Sequence, residues 1–391
     1  MNIDIFNNYE LQREELLARI AQELELDNSR KEKMETAYNA VSEVLKNDPE
    51  FFEDLEIVVY PQGSAKIGTT VKPINGDDFD LDTVLHIYDK YTKHTPNGIY
   101  NALVRVLENN GNYSTIMEKK DRCVRLNYKS DFHMDILPAC MQDEYDFEKI
   151  AIPERDLNNW SSGNPKGFAN RFLERANSVK SYMLKTFSET LIKANVDTEP
   201  LPNEVYEKTP LQRAVQLVKR YRDVYFEDKK YKVSSIVLTT IISENYNGEE
   251  SIFDTITNTI EIIKRNYNDS IINGKRFKIF NPVDKNEEFT DSWTDNHYKN
   301  FIAFITDFHS KWNSLKDDFE TSGKNYIELF GEGVYKSSLQ NQIKRYSHLT
   351  KDSFTKANGI ILGGSSYTDS KGQINENKGV KNESYHNFGG K

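Results

Sequence analysis

The sequence predicts an α+β protein with two lobes. The chain has 391 residues, which is more than a single domain usually contains. Short segments rich in β-branched residues fall within residues 1–160, whereas apolar residues recur at helical spacing through residues 161–350. Strands and helices that are segregated along a chain are typical of the α+β class. We therefore assign residues 1–160 to a lobe built on a sheet and residues 161–350 to a helical lobe.

The composition restricts the classes of function. Lys and Arg total 51 and Asp and Glu total 61, so the net charge is −10. A net-acidic chain is a poor binder of nucleic acid polymers, because such binding depends on clustered basic residues that meet phosphates. A small nucleotide needs only a local basic pocket, so we expect no nucleic acid polymer to be required.

Nothing in the sequence predicts a membrane or a secreted protein. No apolar run approaches the roughly 18 residues of a membrane-spanning helix, and residues 1–7 lack the basic flank and apolar core of a signal peptide. The two cysteines, Cys123 and Cys140, fit a reducing compartment and are expected in the core. We therefore expect a cytoplasmic protein without a membrane partner.

Two helices and four strands are predicted in the first lobe. Apolar spacing predicts a helix around residues 16–24 and a second one that begins at Ser29, where Glu32 completes a capping box. Asn47 and Pro49 should end this second helix. Strands are predicted at residues 55–60, 80–87, 123–128 and 132–137, and the last two are joined by a polar turn at residues 129–131.

The rest of the chain divides into helices and a tail. Helical spacing covers residues 172–187, 211–221, 234–246, 252–263 and 298–315. Seven of the 19 glycines lie beyond residue 352, among Ser, Asn and Lys, and such a composition cannot bury a core. We therefore expect residues 351–391 to form a flexible tail.

Two carboxylates stand close together on a predicted strand. Asp80 and Asp82 are two residues apart, so in a strand both side chains point to the same face. Side-by-side negative charges repel, and a divalent cation such as Mg²⁺, which prefers oxygen ligands, would remove that repulsion. A solvated strand end is the alternative interpretation of this pair.

A second feature precedes the carboxylates by sixteen residues. Gln62, Gly63 and Ser64 directly follow a predicted strand and precede a segment that could form a short helix or turn. Backbone N–H groups at such a junction can point at an anion, Gly63 allows close approach, and the Ser64 hydroxyl can donate to a phosphate oxygen. An ordinary turn is the alternative.

Asp135 is the third element. It lies in an otherwise apolar strand, where an unpaired charge would be costly, so it requires a partner. If this strand neighbours the strand of Asp80 and Asp82, three carboxylates converge on one edge of the sheet. That number can hold two Mg²⁺ ions for phosphoryl transfer. His133, on the same face, is expected to be a strand neighbour and not a base.

Together these elements resemble a known superfamily. A strand with Gly-Ser, then Asp-x-Asp, then one Asp on a later strand is the pattern of the polymerase-β-like nucleotidyltransferases. The sequences of these motifs resemble those of the bacterial CD-NTases, also called SMODS-type nucleotidyltransferases. The CD-NTases are relatives of cyclic GMP-AMP synthase and oligoadenylate synthetase. The similar segments are 60–64 (YPQGS), 68–73 (GTTVKP), 78–82 (DFDLD) and 135–139 (DILPA), and a weaker likeness extends to about residue 350.

The resemblance implies a fold, an activity and a set of site residues. The fold would be bilobal and polymerase-β-like, with a mixed sheet, a long N-terminal spine helix and a helical lobe that completes the nucleotide pocket. The activity would be synthesis of cyclic di- or trinucleotides from ATP and other NTPs, through 3′-5′ or 2′-5′ bonds. Asp80, Asp82 and Asp135 would be catalytic and would bind two Mg²⁺ ions, with Mn²⁺ as an alternative.

The resemblance also assigns residues in the helical lobe. In the family, a Lys on one helix and a Ser on the next contact the donor triphosphate, which favours Lys219 and Ser235 beside Gln62, Gly63 and Ser64. Lys219 belongs to a cluster of basic residues on one predicted helix, and a solvated basic face is the alternative for this cluster. The cluster comprises Arg213, Lys219, Arg220 and Arg222.

Partners and rival functions follow from the same resemblance. The product would alert a cyclic-nucleotide-activated effector in anti-phage (CBASS) defence. A ubiquitin-transfer-like ligase could act on the C-terminal tail, although Lys391 follows Gly389 and Gly390 and would have to be trimmed or accepted. A plain linker is the alternative for the tail. The rival functions are linear-oligonucleotide synthesis, nucleotidyl transfer to tRNA or protein, and nucleotide binding without catalysis.

We predict that residues 352–391 are dispensable for nucleotide synthesis but needed for partner attachment, because their composition cannot contribute to a core. Deleting them and assaying the purified enzyme tests the first half, and loss of synthesis would show that the tail belongs to the fold. Mass spectrometry of the protein from its native host under phage challenge tests the second half. An unmodified C-terminus would favour the linker.

Overall fold

The computed structural model describes most of both lobes. The described residues are 9–74, 78–128, 132–179, 208–272, 276–317 and 319–347, with three residue pairs at 367–368, 374–375 and 380–381. Three predictions lie outside them: the turn at residues 129–131, the continuation of the 172–187 helix beyond residue 179, and most of the tail.

The first lobe is built on a seven-stranded mixed sheet. Its strands are β1 (Ile57–Pro61), β2 (Phe79–Lys90), β3 (Met117–Lys119), β4 (Val124–Tyr128), β5 (Phe132–Met141), β6 (Ile150–Pro153) and β7 (Trp160–Gly163). The order is β1-β2-β5-β4-β3, with β6 paired to β5 and β7 to β6. Only the β2–β5 pair is parallel among these strands. The predicted strands are therefore confirmed, and the sheet continues to Gly163.

Two helices cover one face of this sheet. They are α2 (Asn28–Lys46) and α4 (Pro96–Glu108). Buried apolar residues of both helices and of alternate strand positions form one core, with Leu45, Leu103, Leu81 and Ile136 among them. Because strand side chains alternate, the even-numbered residues at the start of β2 face away from this core. Helix α4 was not predicted from the sequence, although Thr95 caps it and Pro96 begins it.

The second lobe is helical, as predicted. Its helices are α5 (Pro165–Asn177), α6 (Pro210–Tyr225), α7 (Ser235–Asn245), α8 (Ile252–Ile272), α9 (Asp295–Asn313), α10 (Phe319–Phe330) and α11 (Glu332–Ser347). A two-stranded hairpin of β8 (Phe280–Asn281) and β9 (Asp284–Glu288) lies between α8 and α9. Four-residue α3 (Gly63–Lys66) belongs to the first lobe. No helix among the described residues is long and apolar enough to cross a membrane.

The N-terminal helical region is divided between the lobes. The long spine helix implied by the resemblance takes the form of two helices, α1 (Tyr9–Glu23) and α2, as the apolar pattern predicted. Leu17 and Ile20 of α1 are buried in the core of the helical lobe, whereas α2 packs on the sheet. The prediction that Ser29 starts α2 is wrong. The helix begins at Asn28, because Asp27 accepts the Arg30 N–H at 2.9 Å and acts as the N-cap.

Part of the predicted tail has regular structure. Three short strands form an antiparallel sheet, β10 (Tyr367–Thr368), β11 (Ile374–Asn375) and β12 (Val380–Lys381), with β10 in the centre. These strands contain Tyr, Thr, Ile and Val, the residues that favour extended backbone. The prediction of a flexible tail, which was based on overall composition, is therefore wrong for these six residues. They form strands within a segment rich in Gly, Ser and Asn.

Candidate functional site

The parallel pairing of β2 with β5 brings the three predicted carboxylates to one edge of the sheet. Asp82 lies directly opposite Asp135, and Asp80 lies opposite His133. Phe79 and Leu81 on one strand, with Met134 on the other, are buried on the opposite face. The condition that the two strands are neighbours is therefore met, and all three carboxylates share the face that points away from the sheet core.

Asp82 is the most constrained of these carboxylates. Burial, together with the charges of Asp135 and Asp80, raises the pKa of Asp82 from 3.8 to about 6. Lys219 and Arg125 act in the opposite direction but do not cancel the rise. Ionisation of Asp82 is thus less favourable than that of an exposed aspartate, although the carboxyl is still mostly ionised at neutral pH.

Arg125 on β4 is the partner that Asp135 required. The register of β4 with β5 places Arg125 opposite Asp135. Its guanidinium donates to both carboxylate oxygens, at 2.7 Å from Nε to Oδ1 and 2.8 Å from Nη2 to Oδ2. The same Nη2 lies 3.3 Å from Oδ1 of Asp80. Sequence reasoning missed Arg125, although its alternation with buried Val124 and Leu126 was the available signal.

Gly63 and Ser64 lie beside the carboxylates. Gly63 has a φ of +58°, and a Cβ added there would stand 3.0 Å from Oδ2 of Asp82, so the position favours glycine. Gln62 is connected to the site by its backbone N–H, which donates to the Asp82 carbonyl oxygen at 2.8 Å. The Thr70 hydroxyl donates a hydrogen bond to the Ser64 hydroxyl at 3.4 Å.

Helix α6 holds the segment that follows Ser64. Thr209 and Gln212 form a capping box at its start. Gln212, Gln216 and Lys219 then recur four and three residues apart and share one face. Their side chains donate to the backbone carbonyl oxygens of Ile67 at 3.0 Å, Thr70 at 3.1 Å and Thr69 at 3.3 Å, respectively. The helical lobe is thereby attached to residues 67–70 of the sheet lobe.

The basic residues of α6 are not a solvated face. Arg213, Lys219 and Arg220 are 0%, 5% and 5% exposed, so that alternative is wrong for these three. Burial and the charge of Arg222 lower the pKa of Lys219 to about 7. Besides the Thr69 carbonyl, Lys219 donates to the Thr69 hydroxyl at 3.0 Å.

Lys219 and Ser235 meet the carboxylate edge across a cavity between the two lobes. The cavity has a volume of about 660 Å³. Residues from both lobes line it, including Gly63, Ser64, Asp80, Asp82, Lys219, Arg222, Asp223 and Ser235. Arg222 donates to the Ser235 hydroxyl. Asp135 is not among the residues that line the cavity, but it lies directly opposite Asp82 on the neighbouring strand.

The donor chemistry of this edge fits a divalent cation. Carboxylate oxygens are the ligands that Mg²⁺ prefers, and burial together with the neighbouring negative charges raises the pKa of Asp82. As the side chains stand, no three Asp, Glu, His or Cys side chains within the described part of the chain are close enough to hold one metal ion. The guanidinium of Arg125 lies between Asp135 and Asp80 instead.

His133 and the two cysteines are the remaining residues for which the sequence predicts a position. His133 faces Asp78, with 3.7 Å between Nε2 and Oδ2, and is a strand neighbour as expected. Cys140 is buried, and Cys123 is half-buried, so the core prediction is confirmed for Cys140 only. Both are free thiols.

Comparison with known proteins assigns the chain to a family. The family model described as "Second Messenger Oligonucleotide or Dinucleotide Synthetase domain" matches residues 12–176. A protein of Roseivirga ehrenbergii named c-di-GMP synthase is 41% identical over 316 residues, which cover 80% of this chain and 82% of that protein.

Solved structures show the same fold. The structure of CdnG from Bradyrhizobium diazoefficiens in complex with GTP has a TM-score of 0.68 and 20% identity, covering 84% of this chain and 98% of CdnG. The structure of CdnC from Escherichia coli MS115-1 in complex with HORMA-deltaN has a TM-score of 0.56 and 13% identity, covering 81% of this chain and 96% of CdnC.

The chain has the bilobal α+β fold of CdnG, and its family and its 41% identical relative make it a nucleotidyltransferase. The chain belongs to the bacterial CD-NTases. It is therefore an enzyme, and cyclic dinucleotide synthesis is the activity that the relatives support.

Replacement of Asp82 tests the electrostatic description of the site. Since the pKa of Asp82 is raised from 3.8 to about 6, the folded state binds more protons than the unfolded state between these values, and the free energy of unfolding falls as pH rises through them. We expect Asp82→Asn to remove this cost, with a gain of about 3 kcal/mol at most above about pH 7 and none below about pH 4.

Thermal unfolding in EDTA at both pH values measures this difference. Asp228→Asn, a change at an exposed carboxylate, serves as the matched control and should leave the melting temperature unchanged. A lower melting temperature for Asp82→Asn at neutral pH would mean that the ionised carboxylate stabilises the fold.

Proposed function

We propose that the protein joins two GTP molecules into cyclic di-GMP with release of two pyrophosphates, using divalent cations at Asp80, Asp82 and Asp135. The observation that carries the proposal is the alignment of these carboxylates beside a cavity that also contains Ser64, Lys219 and Ser235. The identity of 41% with a c-di-GMP synthase supports guanine as the base. GTP in the CdnG complex supports NTPs as substrates.

The reaction makes two successive phosphodiester bonds. A ribose hydroxyl of one nucleotide attacks the α-phosphorus of the other, and pyrophosphate leaves with the electrons of the broken P–O bond. The linear dinucleotide keeps one triphosphate, and its free hydroxyl attacks that α-phosphorus to close the ring. Cations held by Asp80, Asp82 and Asp135 would lower the pKa of the attacking hydroxyl and neutralise charge on the leaving group.

The side chains of both lobes bind and orient the triphosphate in this scheme. Ser64 lines the cavity next to the carboxylate edge and can donate to a phosphate oxygen. Lys219, Arg222 and Ser235 lie on the helical side and provide positive charge and a hydroxyl donor. Catalysis of this kind consists mainly of positioning and charge neutralisation. The attachment of α6 to residues 67–70 sets the separation of the two groups of donors.

A labelled-nucleotide assay tests the activity. The full-length protein is incubated with Mg²⁺ and each α-labelled NTP, alone and in pairs, and the products are treated with phosphatase. We expect a resistant product from GTP alone and none from Asp80→Asn/Asp82→Asn. A phosphatase-sensitive product would favour a linear-oligonucleotide synthase, and a product that requires ATP would contradict the assignment of the base.

Ser64→Ala should slow synthesis less than the loss of the carboxylates. One hydroxyl donor to a charged phosphate contributes about 1.5 to 3 kcal/mol, which corresponds to a loss of roughly ten- to a hundredfold in rate. Initial rates of pyrophosphate release measure the effect. Ser162→Ala is the matched control, since this hydroxyl lies within hydrogen-bond distance of Gln142 and Asp284 and does not line the cavity, and its rate should be unchanged. An unchanged rate for Ser64→Ala would make Gly63-Ser64 an ordinary turn.

The biological setting belongs to the same proposal. A cyclic dinucleotide made in the cytoplasm, where NTPs are available, would activate an effector in anti-phage (CBASS) defence, and a ligase would act on the C-terminal tail. The complex of CdnC with HORMA-deltaN supports a protein partner for a protein of this fold.

A further inference from the structure

The position of Arg125 is unusual for a residue that only supports a strand. Its Nη2 lies 2.8 Å from Asp135 and 3.3 Å from Asp80, so one nitrogen stands between two carboxylates of the proposed metal site. The Arg125 side chain is 24% exposed and that of Asp135 is 19% exposed. The contact is thus shielded from much of the solvent but open towards Asp80, which is 59% exposed.

The fork of hydrogen bonds uses both oxygens of Asp135. Nε donates to Oδ1 at 2.7 Å and Nη2 donates to Oδ2, the planar arrangement in which guanidinium and carboxylate bind most strongly. A divalent cation shared by Asp135 and Asp80 would have to take a position that the guanidinium now fills. It would also meet the repulsion of a fixed positive charge.

We propose that Arg125 is a positioning residue that occupies the place of a divalent cation between Asp135 and Asp80 and must be displaced when metal binds. This inference rests on the proposed function, because it takes these carboxylates as the metal site. It goes beyond that function by adding a competing internal cation. In the nucleotide-free protein the site binds divalent cations weakly. The triphosphate supplies further oxygen ligands, so the metal is bound together with the nucleotide.

Binding of Mn²⁺ to the full-length protein without nucleotide tests the inference. The electron paramagnetic resonance signal of free Mn²⁺ reports the bound fraction. We expect Arg125→Gln to bind Mn²⁺ at least about tenfold more tightly than wild type, because a charged hydrogen-bond network of this strength is lost from the competing state. Equal or weaker binding by Arg125→Gln would overturn the inference and make Arg125 a simple support for Asp135.

The chain offers a matched control. Arg105 also donates two hydrogen bonds to the carboxylate of Asp48, at 2.9 and 2.8 Å, and neither residue lines the cavity. Arg105→Gln should bind Mn²⁺ like wild type, and tighter binding there would show a non-specific charge effect and contradict the inference. Arg125→Lys keeps the charge but loses the paired hydrogen bonds, so it should bind Mn²⁺ a few-fold more tightly than wild type. This variant replaces Arg125→Gln in the test if Arg125→Gln does not fold. No change in Arg125→Lys would then count against the inference.

Failure of the proposed function gives a different result. Adding Asp80→Asn to Arg125→Gln removes one of the two carboxylates that would share the cation, so it should abolish the tight Mn²⁺ binding. Tight binding that persists in this double variant would place the metal elsewhere and refute the metal site itself. Loss of binding in the double variant, with no gain in Arg125→Gln alone, would retain the metal site and refute only the role of Arg125.

Discussion

Negative charge concentrated at one edge of the sheet is the constraint on which the site depends. The parallel register of β2 with β5 forces Asp82 and Asp135 to face each other, and Asp80 follows on the same face. Burial and the charges of Asp135 and Asp80 together raise the pKa of Asp82 to about 6, so the positive charges nearby offset these effects only in part. Arg125 provides the compensating charge on one side, and Lys219 provides it from the other lobe.

The same constraint connects the two lobes. Helix α6 reaches across to residues 67–70 through Gln212, Gln216 and Lys219, and these contacts bring a buried ammonium group close to the carboxylate edge. Burying Lys219 lowers its pKa to about 7, so its charge depends on the negative groups around it. A triphosphate entering the cavity would add negative charge next to Lys219 and Arg222. The carboxylates of the sheet lobe and the buried lysine of the helical lobe therefore influence each other's charge across the cavity.

Local patterns predicted the main elements of the site, because they obey short-range rules. The spacing of Asp80 and Asp82 fixes their common face. Glycine is favoured at position 63 because its φ is +58° and because Asp82 lies close to it. For Arg125 the alternation with Val124 and Leu126 indicates only the face on which it lies, since its role depends on which strand pairs with β5 and in which register. Likewise, composition cannot show that Arg213 is fully buried and not solvated.

Helix boundaries and lobe membership were harder to predict for a related reason. Asp27 and Ser29 are both good capping residues two positions apart, and only the backbone geometry selects Asp27. Helix α1 belongs to the helical lobe although it precedes the sheet, because its apolar stripe packs against helices formed from residues 210–347. Contacts between residues that are distant in sequence decide such questions.

A crystal structure of the wild-type protein with Mn²⁺ and a non-hydrolysable GTP analogue would test the central claim most directly. Anomalous scattering locates the manganese independently of the surrounding atoms. We expect manganese peaks bound by oxygens of Asp80, Asp82 and Asp135, with Nη2 of Arg125 moved away from Asp80. A nucleotide in the cavity with no manganese at these carboxylates would contradict the assignment of this edge as the metal site.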